Sequence, residues 1–124
     1  MCIRDRYNVN KMFNLFGPKV PQITPDEVKK SLDTKEKIIL LDVRTTSEYS
    51  KGKIESSINL PLDQVSQKIT NVIPDKDKKI YVYCLSGARS ISAVDSMTKL
   101  GYKNVFNMSN GLLAWRAKSY PVSP

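Results

Sequence analysis

The chain has 124 residues, 40% apolar and 26% charged, a composition that suits one globular domain and speaks against a disordered or membrane-spanning protein. Histidine is absent, which excludes Ser-His and Cys-His dyads, histidine-ligated metals and any imidazole base. The net charge of +8 comes from lysines mixed with acidic residues and has no aromatic stacking series beside it, so we expect anionic small substrates and no nucleic acid.

No apolar run approaches the ~18–20 residues of a bilayer span, and the expectation is a soluble, cytoplasmic protein with no membrane partner. The two cysteines, Cys2 and Cys84, are too few for a four-thiolate site, so neither a metal nor a cofactor is expected. Residues 1–16 are expected to form a tail outside the fold, with Met12 an alternative start, and residues 17–124 the domain.

In chain order, Gly17 to Pro21 reads as an extended lead-in with two prolines. Thr24-Pro25-Asp26-Glu27 then combines a cap, a proline suited to a first helical position and a capping-box glutamate, predicting a helix to about Leu32. Ile38 to Asp42 reads as a strand buried on both faces. Thr46 to Lys51 predicts one or two helical turns closed by Gly52, and Ser57 to Leu60 a short strand stopped by Pro61. Leu62, Val65 and Ile69 recur at helical spacing, and Lys79 to Tyr83 is a second buried strand. Ser90 to Leu100 predicts a helix ended by Gly101, followed by a strand at Val105 to Asn107 and a last helical turn or two at Leu112 to Trp115. Strands alternating with helices imply an α/β fold, with a mostly parallel sheet flanked on both faces.

The turn after the second buried strand carries the chemistry. Cys84-Leu85-Ser86-Gly87-Ala88-Arg89-Ser90 joins a strand to a helix, the place where open α/β sheets bind ligands. Small residues let the loop curl until its N–H groups converge on one point, and the positive end of the helix favours an anion there. A cysteine in that position is expected to ionise near neutral pH, with Arg89 a nearby cation whose fork can also clamp an oxyanion. The bland reading, a small buried hydrophobe ending a strand, does not account for the glycine, the arginine and the helix start together.

These residues resemble the rhodanese (thiosulfate sulfurtransferase) family in its single-domain form. Cys84 to Ser90 matches that family's Cys-x-x-Gly-x-Arg loop with its small polar follower. Leu41-Asp42-Val43-Arg44 with Glu48-Tyr49, Gly52, Ile54 and Ile58-Asn59-Leu60-Pro61 looks like the first family signature. Val105-Phe106-Asn107 with Gly111 and Ala114-Trp115 looks like the terminal one. Where the family has Gly-His-Ile this chain has Gly52-Lys53-Ile54; Ser56-Ser57 stand for Gly-Ala, and Asn110-Gly111 for Gly-Gly.

The resemblance implies a ping-pong transfer of sulfane sulfur. The Cys84 thiolate would take sulfur from a small anionic donor such as thiosulfate and pass it to cyanide, a thiol or a protein acceptor. The amides of Leu85, Ser86, Gly87, Ala88, Arg89 and Ser90 would cradle the persulfide. Asp42, Arg44 and Glu48 would brace the sheet edge and the loop, while Tyr81, Tyr83 and Trp115 belong to the core. Two other functions fit parts of the pattern. A cysteine-dependent phosphatase or arsenate reductase uses a similar nest but with Cys-x5-Arg spacing, one residue longer than Cys84 to Arg89. A rhodanese-like regulatory or interaction module typically lacks the cysteine retained here.

Overall fold

The computed structural model describes residues 19–124, so the expected tail over 1–16, Cys2 and the start of the lead-in lie outside the described residues. Five strands form one sheet: β1 (Gln22–Ile23), β2 (Ile39–Asp42), β3 (Ile58–Asn59), β4 (Lys79–Tyr83) and β5 (Asn104–Met108). Their order is β1-β5-β4-β2-β3, and every paired strand runs parallel to its neighbour. The helices are α1 (Pro25–Asp33), α2 (Thr46–Lys51), α3 (Leu62–Val72), α4 (Ala88–Lys99) and α5 (Gly111–Ala117). Among the described residues, no helix is long and apolar enough to cross a membrane.

Strand periodicity divides the core. Ile80, Val82 and Cys84 point to one side with Leu41 and Val43, where Val65 and Ile69 of α3 and Ala93, Val94 and Met97 of α4 cover them. Tyr81 and Tyr83 point to the other side with Leu40, under Val28 of α1 and Leu112 and Trp115 of α5. Both layers are buried, so the central strands carry apolar side chains at nearly every position.

The expected helix start at Thr24 forms, and α2 begins with a second capping box that the sequence reading leaves unnamed. Thr24 Oγ1 accepts from the Glu27 amide at 3.1 Å while Glu27 Oε1 accepts from the Thr24 amide at 3.0 Å, and Thr45 and Glu48 repeat the arrangement on α2. Strand β1 was not anticipated. Two residues are too few to show a period, and Gln22–Ile23 is strand only because it lies along β5. Helix α4 also begins at Ala88, two residues earlier than its apolar pattern indicates.

The departures from the family pattern have local explanations. Ser56 and Asn110 adopt φ of 72° and 60°, left-handed conformations that a glycine would take without strain and that Asn tolerates better than most residues. Lys53 exchanges backbone bonds with Ser123 at 2.8 and 2.7 Å, and its Nζ reaches the Pro124 carbonyl at 2.9 Å, tying the end of the chain to the domain.

Candidate active site

Cys84 follows the last residue of β4 and is buried beneath its loop. Gly87 turns the chain with φ of 108°, and its N–H donates to Cys84 Sγ at 3.1 Å. Only a residue free to take that φ brings the amide back onto the sulfur within three residues. The Ser90 hydroxyl, in the first turn of α4, lies 3.4 Å from the same sulfur. Burial pushes the thiol up, but the Ser90 hydroxyl and the N–H groups of Ser90, Gly87 and Ser86 outweigh it and hold Cys84 below its ordinary value. The sulfur therefore sits in a nest of donors that favours its anion.

Ser90 is itself positioned from the sheet. Its hydroxyl also lies against Asn107 Oδ1 on β5 and the Gly87 carbonyl, acceptors that share its one proton with the sulfur, and Asn107 Nδ2 donates to Gln22 Oε1 on β1 at 2.9 Å. A polar chain thus runs from the buried thiol across two strands to the exposed Gln22. Sequence reasoning assigned no role to Asn107 or Gln22. Their polar side chains next to apolar strand positions were the available signal, but which groups they meet depends on the pairing of β1 with β5.

The loop is also held from behind. The Leu112 and Leu113 amides, at the start of α5, donate to the carbonyls of Cys84 and Leu85 at 2.8 and 3.0 Å. These helix-end donors have no partner within α5, so the active loop satisfies them. Gly111 permits the approach, because a Cβ there would lie 2.5 Å from both carbonyl oxygens.

The Arg89 guanidinium leaves the loop to meet Glu48 on α2, with bonds of 2.7 and 3.1 Å to the two carboxylate oxygens. That pairing, with the capping bonds to Thr45, holds the Glu48 carboxyl at about 2. Asp42 and Arg44 form a second, fully buried pair at 2.7 Å. Arg44 also donates to the Gly52 carbonyl at 2.6 Å, joining the end of β2 to the turn after α2. Tyr83 donates or accepts at Ser57 Oγ and accepts from the Ile54 amide, and burial raises its phenol well above the ordinary value. Of the residues singled out from sequence, Cys84 to Ser90 gather at one loop with Glu48 against it, while Asp42 and Arg44 lie beneath the neighbouring strand end.

A depression of about 480 Å³ flanks the loop between Ser86, Gly87 and Ala88 on one side and Gln22, Asn107 and Asn110 on the other. Another, of about 500 Å³ between Lys29, Ile54 and Val122, belongs to the Trp115 side of the sheet and contains no cysteine. Among the described residues no cluster of acidic or sulfur ligands could hold a metal.

A sulfurtransferase of Allochromatium vinosum is 30% identical over 103 residues, covering 83% of this chain and 94% of that protein. Thiosulfate sulfurtransferase PspE of Escherichia coli is 34% identical over 67 residues, 54% of this chain and 64% of PspE. Some relatives are longer, and the chain spans 53% of one from Bacillus subtilis at 36% identity. The crystal structure of a rhodanese-related protein from Thermoplasma volcanium superposes with a TM-score of 0.74 at 30% identity, over 83% of this chain and 97% of that one. The rhodanese-like domain family matches residues 24–118, so a thiol in a strand-to-helix nest, on a five-stranded parallel sheet, places this chain in that family.

Proposed function

We propose that this protein is a sulfurtransferase that carries sulfane sulfur as a Cys84 persulfide. One observation carries the reading: the sulfur lies within reach of the Gly87 amide and the Ser90 hydroxyl inside a closed loop, so its anion needs no separate base. That agrees with a chain lacking histidine. The relatives named as sulfurtransferases support the same chemistry.

In the first half-reaction the Cys84 thiolate attacks the outer sulfur of a small donor, thiosulfate or a similar molecule. The sulfur–sulfur bond of the donor breaks, sulfite leaves with the electron pair, and Cys84 retains the sulfur as a persulfide anion. In the second, a thiophilic acceptor such as cyanide, a thiol or a cysteine on a protein attacks that outer sulfur and the thiolate returns. The loop amides stabilise the anion in both resting forms, which removes the need for a proton at either step.

The test is mass spectrometry of the intact protein after thiosulfate, then after cyanide. One added sulfur on Cys84 that cyanide removes is the expected result, and Cys84→Ser should acquire none. Full turnover by Cys84→Ser would reject the reading.

A further inference from the structure

The charge that the Cys84 loop can present to a donor depends on one residue outside it. Leu85, Ser86, Gly87, Ala88 and Ser90 are uncharged, so Arg89 is the only cation the loop supplies. Both carboxylate oxygens of Glu48 hold its guanidinium. Glu48 is not free to swing away, because Oε1 also accepts from the Thr45 amide at 3.0 Å and the Thr45 hydroxyl at 3.1 Å. Among the described residues lining the depression beside the loop, none carries a charge. With Cys84 ionised, the group Cys84, Arg89 and Glu48 totals one negative charge.

We infer that Glu48 selects the donor: by neutralising Arg89 it turns the site away from the thiosulfate dianion and toward organic persulfides, R–S–SH. This rests on the sulfur-transfer reading above. Thiosulfate would bring two further negative charges against the thiolate, whereas a persulfide brings at most one. In the favoured reaction the Cys84 thiolate attacks the terminal sulfur of R–S–SH. The donor's S–S bond breaks, the new Cys84 S–S bond forms, and the electron pair leaves on R–S⁻. The proton of the terminal sulfur passes to R–S⁻, giving R–SH and the Cys84 persulfide anion, with no external oxidant or reductant. Glu48 acts through Arg89 and is a positioning residue.

Glu48→Gln removes the charge and retains an oxygen for the Thr45 amide, since a capping box takes either residue. The quantity to measure is the ratio of kcat/KM with thiosulfate to kcat/KM with the persulfide of β-mercaptoethanol. Both are taken on one preparation, so the folded fraction cancels. The ratio should rise about fivefold, the upper range for a partly exposed ion pair, through a lower KM for thiosulfate. Adding Arg89→Ala to Glu48→Gln should abolish the rise. An unchanged or lower ratio in Glu48→Gln overturns the inference, as does a rise that survives the loss of Arg89. Failure of the wild-type Cys84 to gain sulfur from either donor would instead overturn the sulfur-transfer reading itself.

Discussion

At the scale of single residues, the reactivity of Cys84 is set by hydrogen bonds more than by a neighbouring cation. Arg89 adjoins the loop, yet its guanidinium is engaged by Glu48, while Ser90 and the Gly87 amide point at the sulfur. Ser90→Ala removes one donor and leaves burial, which favours the neutral thiol, with less to oppose it. The thiol pKa should therefore rise, so the midpoint of an alkylation-rate profile moves to higher pH and the rate at neutral pH falls several-fold. The plateau at high pH, where every molecule is a thiolate, should be nearly the wild-type value. An unmoved midpoint would mean that the Ser90 hydroxyl spends its proton on Asn107 rather than on sulfur.

At the scale of elements, the loop is clamped between α4 and α5. Gly111 has a φ of 57° and leaves no room for a Cβ beside the carbonyls of Cys84 and Leu85. Gly111→Ala adds left-handed strain and forces those carbonyls away from the Leu112 and Leu113 amides. The expected cost is about 2 kcal/mol or more, read from the urea midpoint of unfolding. Persulfide formation by the folded fraction should slow as well, because the displaced carbonyls belong to the residues that form the nest. A variant with wild-type stability and wild-type persulfide formation would show that α5 does not hold the loop. The buried Asp42–Arg44 pair has a different part. It secures the end of β2 and the turn at Gly52 and contributes no group to the sulfur, so its presence beside the site concerns shape.

At the scale of the whole molecule, a parallel sheet brings one thiol and one helix start together, and the proposed sulfur chemistry makes loop length the feature that separates this site from a phosphatase. Four residues separate Cys84 from Arg89. A transferring phosphoryl group needs donors around three equatorial oxygens and an arginine that grips two of them, but here the arginine is held by Glu48. Nor is there a histidine to protonate a leaving group. Sulfur transfer from thiosulfate or a persulfide to cyanide should far exceed hydrolysis of an aryl phosphate at equal enzyme concentration. Equal or greater phosphatase efficiency would reject the loop-length argument.

The sequence by itself determined the α/β class, the Thr24–Glu27 capping box, the two central strands and the loop from Cys84 to Ser90. Each of these is a local property. Capping boxes lie within four residues, buried strands show as short apolar runs, and the loop is one continuous segment between a strand and a helix. Tertiary structure alone decided the rest. Gln22–Ile23 is a strand because β5 offers an edge, and Asn107 reaches Ser90 because that edge is adjacent to the site. Gly111 supports Cys84 from 27 positions away, and Glu48 captures Arg89 from 41 positions away. Contacts at such separations depend on strand order and on the face each helix covers, and no residue pattern within either segment encodes them.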